Sequence, residues 1–195
     1  MSAQRETPNE ERGTEEKEMP GLGKSGKIIS INVSKKKGQF KTPVKEAELI
    51  VGKGISGDAH LGFGHRQVSL LMLESIAQQK VALGLMPDLN RRQECLRPHG
   101  VDSCPELKGK TIALAPGVFA ENFTTQGIDL SGLNIGDELI VNKKIRLRVS
   151  QIGKECHTRC AIYRLVGDCI MPAMGIFCEV LESGMVKPGD KIERS

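Results

Sequence analysis

Short apolar segments with alternating polar positions, separated by turn residues, constrain the fold of this chain more than any other feature. The clearest pair is a predicted hairpin, in which strands at 139–141 and 145–152 flank the turn Asn142-Lys143-Lys144. Residues 73–83 have the spacing of a short amphipathic helix. Further strands are predicted from β-branched and apolar residues at 27–33, 44–51, 67–72, 175–181 and Ile192. Many short strands with one or two helices predict a mainly β protein, and a closed β-barrel rather than an alternating parallel sheet.

The length of 195 residues suits one domain with a single core. Residues 1–26 are rich in Glu, Arg, Pro, Gly and Ser and lack hydrophobic periodicity, which predicts a disordered tail. Residues 84–110 contain prolines and no clear periodicity, so we expect an irregular insertion in a domain that spans 27–195. That domain has 24 basic and 18 acidic residues, a mild excess that suits either an anionic ligand or simply a solvated basic face.

The composition argues against several classes of protein. No apolar run approaches the roughly 18 residues that a membrane span requires, and the N-terminus lacks the basic-then-apolar layout of a secretory signal. We therefore expect a cytoplasmic protein without a membrane partner, with its six cysteines reduced. Because the chain has no Trp and one Tyr, and its charges form no basic stripe, nucleic acid is not an expected partner.

A chemically dense stretch, residues 151–160, follows the second strand of the predicted hairpin. Lys154, His157 and Arg159 flank Cys156 and favour a thiolate, which is a soft metal ligand and a nucleophile. The alternative is structural, because free cysteines often pack as small buried hydrophobes. Taken by itself, the pattern supports a site and a buried filler about equally.

Two other groups of residues are weaker metal-ligand candidates. His60 and His65 lie in the glycine-rich segment 52–66, whose glycines let backbone approach a ligand closely. The segment matches neither the phosphate-loop pattern nor a dinucleotide fingerprint, and its histidines are more simply polar loop residues. The second group lacks the Cys-x2-Cys spacing of a zinc site and is better explained as part of the insertion: Cys95, His99 and Cys104.

Polar residues interrupt an otherwise strand-like segment after the turn at Pro116-Gly117. Glu121, Asn122 and Thr124 can offer hydrogen bonds to a polar ligand. They can equally satisfy backbone groups of a local turn. The sequence leaves both interpretations open.

Five motifs occur along the chain in this order: Gly-Ile-Ser-Gly-Asp58-Ala-His60, His65-Arg66-Gln67-Val-Ser-Leu-Leu, Gly117-Val-Phe-Ala-Glu121-Asn122-Phe-Thr-Thr125, Ile-Gly-Asp137 and Gln151-Ile-Gly-Lys154-Glu-Cys156. Together they resemble the MOSC family, the domain named after the C-terminal part of molybdenum cofactor sulfurase. The resemblance covers most of residues 27–194 and leaves out the tail and the insertion. The continuation His-Thr-Arg-Cys160 and residues 167–172 are similar to the small stand-alone bacterial and archaeal branch.

The resemblance implies a distorted, mostly antiparallel β-barrel with a polar pocket and a few short helices. It places Cys156 at the position of a cysteine that carries sulfur or ligates molybdenum in the pterin cofactor, molybdopterin. Cys160 is a second candidate metal ligand, and Cys169 is a further one if the barrel folds it back. Candidate contacts to the cofactor follow from the same resemblance: Arg66, His65, Lys154 and Arg159 for its phosphate or pterin, and Asn122 and Thr124 as polar anchors.

The resemblance also implies functions. Related members reduce N-hydroxylated compounds, so this chain would bind the molybdenum cofactor and reduce such a substrate with electrons from a separate donor protein. The first alternative is a non-catalytic carrier, or a module that acts with cofactor-biosynthesis or sulfuration proteins. A lesser alternative is a thiol redox or metal-responsive protein that uses Cys156 and Cys160, although Cys-x3-Cys is less diagnostic than Cys-x2-Cys.

Overall fold

The structure is a computed structural model that describes residues 21–82, 114–156, 161–166 and 168–195. Within these ranges the chain forms eleven strands and three short helices. In chain order they are β1 (Ser25–Val33), β2 (Thr42–Val44), β3 (Ala47–Ile50), β4 (Gly54–Ile55), β5 (Val68–Met72), α1 (Leu73–Ala82), β6 (Phe123–Gln126), β7 (Glu138–Val141), β8 (Ile145–Ile152), α2 (Ala161–Val166), α3 (Met171–Met174), β9 (Ile176–Val180), β10 (Gly184–Val186) and β11 (Lys191–Arg194).

Seven of the described strands close into a barrel. Their order is β1-β11-β7-β8-β9-β5-β6, and β6 returns to β1. Neighbours pair antiparallel, except that β5 and β6 run parallel. The predicted mainly β fold, a mostly antiparallel barrel, is therefore confirmed. β2 extends the β1 edge, and β10, β3 and β4 form a separate small sheet.

The predicted hairpin forms as β7 and β8, with Val141 opposite Ile145. Its turn residues Asn142 and Lys143 have φ angles of 51° and 58°. Two consecutive residues with positive φ give the turn a twist that matches the right-handed twist of the flanking strands. Along β8 the side chains alternate between buried and exposed as the sequence pattern predicts, as far as Val149.

The interior of the described barrel is filled with buried apolar side chains. Alternate residues of β5 (Val68, Leu70, Met72) and of β9 (Ile176, Cys178, Val180) belong to one buried cluster with the rest of the barrel core. A barrel of about this strand number has an interior just wide enough for its own side chains. The described barrel interior is therefore a packed core, and polar ligand-facing groups are to be sought on its outer surface.

The outer faces of β5 and β9 are also covered. Leu71 of β5 and Phe177 of β9 belong to a second buried cluster with Phe119, Ile162 and Met171. This outer cluster explains why all five residues of β5 are buried and why its sequence does not alternate cleanly. The covered face is where the pocket described below is found.

The observed strands differ from the sequence predictions in several places. The strand predicted at 44–51 is two strands, β2 and β3, interrupted at Lys45-Glu46. β4 and β10, which both pair with β3, were not among the predicted strands. Residues 1–20 and 83–113, with Cys95, His99 and Cys104, lie outside the described residues, and β1 begins at Ser25.

The described helices include no candidate for a membrane-spanning segment.

Candidate functional site: a cationic pocket with two thiols

A pocket of about 240 Å³ opens on the outer face of β5 and β9. Its apolar floor is formed by the outer cluster, and its cationic side chains and the imidazole of His60 come from three loops. These loops are the turn after β1, the glycine-rich loop before β5 and the segment after β8. The described residues that line it are Lys37, Gly38, His60, Phe63, Arg66, Ser69, Phe119, Ala120, Asn122, Lys154, Cys156, Ile162, Cys169, Met171 and Phe177.

The described lining is cationic. It holds Lys37, Arg66 and Lys154 and no carboxylate. The Lys37 ammonium lies 3.8 Å from the centre of the Phe63 ring, and the Arg66 guanidinium carbon lies 5.2 Å from it. Phe63 is 37% exposed, so its ring attracts these cations at the pocket mouth. Because the ring is neutral, it does not cancel their charge. The arrangement suits an anionic ligand.

A bulge in β8 directs the chain that carries Cys156 towards this pocket. The register of β8 against β9 shifts between Val149 and Gln151, and the Ser150 hydroxyl donates to the Phe177 carbonyl 3.0 Å away. A bulge bends a strand and redirects its end. The chain leaves β8 beside α3 and reaches Cys156, six residues after Ser150, where the side chain is exposed.

Gly153 is the residue that permits this path. Its φ is +67°, and a Cβ at this position would lie 2.4 Å from the carbonyl oxygen of Pro172. Both the left-handed backbone and the close approach exclude a side chain. The Gly153 and Lys154 amides donate to the Gly175 and Pro172 carbonyls at 2.7 and 3.1 Å, which fixes the segment against α3.

A buried glutamate shapes the opposite wall of the pocket. The Glu121 carboxylate accepts hydrogen bonds from the Gly117 and Phe119 amides and, at 2.8 Å, from the Thr124 hydroxyl. Burial raises the pKa of Glu121 above its usual value, against the opposing effect of these donors. The turn that it closes holds Ala120 at a φ of 63°, a conformation rare for residues other than glycine, on the pocket surface.

Asn122 joins this turn to two strands. Its Oδ1 accepts from the Ser69 amide at 3.1 Å and from the Ser69 hydroxyl at 3.0 Å, and its Nδ2 donates to the Asn32 carbonyl at 3.1 Å. The Thr124 side chain is fully buried behind the pocket, between Glu121 and the Nδ2 of Asn32. The polar residues of this motif thus hold the pocket wall together.

A buried ion pair supports the glycine-rich loop. The Lys41 ammonium lies 2.9 and 2.8 Å from the two carboxylate oxygens of Asp58, and both side chains are essentially inaccessible. Burial acts to raise the pKa of Asp58, but hydrogen bonds from His60 and the charge of Lys41 outweigh it and hold that pKa well below its usual value. Asp58 also accepts from the Ser34 amide.

Asp58 orients a histidine at the pocket. The Nδ1 atom of His60 lies 3.2 Å from Asp58 Oδ1, which also accepts from the His60 amide at 2.9 Å. The His60 ring meets Phe63 edge-on, with 5.7 Å between the ring centres. With Nδ1 engaged by a buried carboxylate, Nε2 is the ring nitrogen left to face a ligand.

The residues selected from the sequence fall into three groups. Arg66, Asn122, Lys154 and Cys156 line this pocket, as do His60 and Cys169. Thr124 lies behind it, and the Nε2 of His65 lies 3.0 Å from Gln151 Oε1, which ties the glycine-rich loop to β8 outside the lining. His157, Arg159 and Cys160 lie outside the described residues.

Sequence reasoning missed several lining residues. Lys37 was not selected, because no feature of the run Lys35-Lys36-Lys37 distinguishes it from its neighbours. Phe63 and Ser69 lie within or beside motifs but carry no signal of their own. His60 was considered as a metal ligand, and the structure shows that its Nδ1 is held by Asp58. Within the described ranges, no three His, Cys, Asp or Glu side chains come together as a metal site.

The fold and site define a class of protein: a small mixed β-barrel whose outer face carries a cationic pocket with an exposed thiol. The family model described as MOSC domain matches residues 58–193, which include most of the barrel and the described pocket lining from His60 onwards. The chain therefore belongs to the MOSC domain family. No protein with a curated description matches it.

Solved structures share this fold. The YuaD protein from Bacillus subtilis is similar with a TM-score of 0.63 at 17% identity, over 87% of this chain and 95% of that one. YiiM from Geobacillus stearothermophilus is similar with a TM-score of 0.57 at 19% identity, over 87% and 75% of the two chains. YiiM from Escherichia coli is similar with a TM-score of 0.55 at 16% identity, over 87% and 69%. At these identities the likeness concerns the fold.

Proposed function

We propose that this protein binds the molybdenum cofactor in the cationic pocket and that Cys156 is its thiolate ligand or sulfur carrier. The observation that carries the proposal is an exposed thiol within a described lining that holds three cations and no carboxylate. Membership of the MOSC domain family, which is associated with this cofactor, supports it. Arg159 and Cys160 follow Cys156 in the sequence and remain candidates for the same site.

The residues present fit the chemistry of this group. Cys156 offers a soft thiolate, which suits molybdenum in a sulfur-rich environment. Arg66, Lys37 and Lys154 offer charge-assisted hydrogen bonds to a phosphate. The apolar floor, with Phe119 and Phe177, offers flat surface to a ring system. When bound, the cofactor would supply the redox chemistry, and the protein would supply orientation and charge.

The most concrete enzymatic form is reduction of an N-hydroxylated compound. That reaction breaks one N–O bond, consumes two electrons and two protons and releases water. The electrons would come from a separate donor protein. His60 is positioned to deliver a proton, because Asp58 holds its Nδ1 and leaves Nε2 for the pocket. The cations that hold the cofactor would also exclude cationic substrates from the mouth.

A non-catalytic carrier is the second candidate, and the exposure of Cys156 favours it. A thiol at an open pocket mouth can pass sulfur or a bound cofactor to a partner protein without burying a substrate. The two candidates use the same binding site. A turnover assay distinguishes the two candidates, because a carrier delivers cofactor to a partner and does not consume an N-hydroxylated compound in the presence of reductant.

The test is elemental analysis of protein purified anaerobically from a host that makes the cofactor. We expect near-stoichiometric molybdenum in the wild type and at least about tenfold less in Cys156→Ser, because a hard alcohol does not replace a soft thiolate. The matched control is Cys178→Ala, which changes a thiol buried in the barrel core. It should retain the metal. Equal loss in both variants, or no molybdenum in the wild type, would refute the assignment.

Arg66 provides a second, independent test. Arg66→Ala should weaken binding of inorganic pyrophosphate, used as a phosphate probe, by about 1.5–3 kcal/mol, which is roughly tenfold or more in Kd. Isothermal titration calorimetry of the cofactor-free protein at low salt would measure this change. Arg66→Lys should recover part of the affinity, and Lys143→Ala, on the β7–β8 turn, should keep all of it. Unchanged affinity in Arg66→Ala would remove this residue from the ligand site.

A further inference from the structure

Two thiols from different segments line the pocket. Cys156 follows β8 and is exposed, and Cys169 lies two residues before α3 and is half-buried. A second thiol in the pocket is not required to hold a cofactor through one thiolate. It gives this pocket a dithiol.

Backbone hydrogen bonds place the two segments side by side. The Gly153 amide donates to the Gly175 carbonyl and the Lys154 amide donates to the Pro172 carbonyl, so the two segments are in direct contact. Cys156 lies two residues beyond Lys154, and Cys169 lies three residues before Pro172. Both cysteines are therefore within three residues of this contact, and both line the same pocket.

The surroundings of the two thiols determine which thiol reacts first and which reagents are attracted to the pocket. Cys156 is exposed at the mouth, whereas Cys169 is half-buried among the apolar residues of the outer cluster. Lys37, Arg66 and Lys154 attract an anionic reagent to the same mouth. Glutathione disulfide and similar small disulfides carry carboxylates and have this charge.

We propose that Cys156 and Cys169 form a dithiol that reacts with small anionic disulfides and is oxidised by them to a disulfide between the two cysteines. The Cys156 thiolate attacks one sulfur of the small disulfide, whose S–S bond breaks and releases one thiol. The Cys169 thiolate then attacks the Cys156 sulfur of the mixed disulfide and releases the second thiol. The protein loses two electrons and two protons, and the small disulfide is reduced to two thiols. In the disulfide form, Cys156 is not available to any other ligand.

The experiment uses the full chain made in a host that lacks molybdenum cofactor, so that its result is independent of the proposed function. The protein is reduced, desalted and treated with oxidised glutathione, and acid-quenched samples are alkylated and mapped by mass spectrometry. We expect a disulfide-linked peptide that joins Cys156 to Cys169, with little lasting glutathione. In Cys169→Ser we expect glutathione to remain on Cys156, at an occupancy at least about tenfold above wild type.

Two controls test the order in which the thiols react. Cys156→Ser should leave Cys169 largely unmodified, because the exposed thiol is absent. Cys178 should stay unmodified in every variant, since it is buried in the barrel and burial raises its pKa well above the usual value. A Cys156 disulfide to Cys160 or to any other cysteine would overturn the proposal, as would equal glutathione occupancy of Cys156 in wild type and Cys169→Ser. Either result leaves the cofactor proposal to its own molybdenum test.

Discussion

Replacing Asp58 with Asn is expected to lower the free energy of unfolding by roughly 3–5 kcal/mol, among the largest effects of any single substitution here. The side chain is fully buried and accepts from Lys41 with both oxygens, from the Ser34 amide and from the His60 amide. Asn at this position lacks the negative charge that balances the buried Lys41 ammonium. Its side-chain NH2 group would also face groups that are themselves hydrogen-bond donors. Urea unfolding at pH 7 would measure the loss.

The same variant predicts a pH dependence. The folded-state pKa of Asp58 is lowered, so the stability that its charge contributes is present above the unfolded-state value of about 4 and is lost as pH falls below it. The difference in stability between wild type and Asp58→Asn should therefore shrink as pH falls below about 4. A difference that stays constant with pH would contradict the charge-based explanation. As a surface control, Glu138→Gln should change stability little, because its partner Arg146 is 45% exposed.

Glu121→Ala is the second large expected effect, a loss of about 3 kcal/mol or more in the free energy of unfolding. The substitution leaves two buried amides and the Thr124 hydroxyl without their acceptor, and each such group typically costs about 1–3 kcal/mol. Because Glu121 closes the turn that holds Ala120 at positive φ, the pocket wall should loosen as well. Thermal or urea unfolding and pyrophosphate binding would report the two consequences.

Glu121→Gln separates hydrogen bonding from charge. Its amide oxygen keeps one acceptor, and burial already disfavours the charged carboxylate, so the loss should be clearly smaller than in Glu121→Ala. Glu182→Ala is the matched surface control, because the side chain is 47% exposed, and it should leave stability unchanged. Equal losses in Glu121→Ala and Glu121→Gln would mean that side-chain volume rather than acceptor capacity supports the turn.

The sequence determined the features that depend on neighbouring residues. Alternation in 145–152 and the turn at Asn142-Lys143 specify a hairpin, because strand period and turn conformation are local properties. The dense stretch that ends at Cys160 indicated a site, and its motifs indicated the family. The sequence also predicted that short strands would close into a barrel, which the structure confirms.

Tertiary structure alone decided which of these residues share the pocket. Lys37, His60 and Cys169 are separated along the chain by other elements, and their position beside Cys156 depends on barrel closure, on the bulge at Ser150 and on the close approach at Gly153. Thr124 was a candidate ligand by type, but burial turned it into support for Glu121. Long-range packing sets burial and partner choice, and no local pattern encodes either.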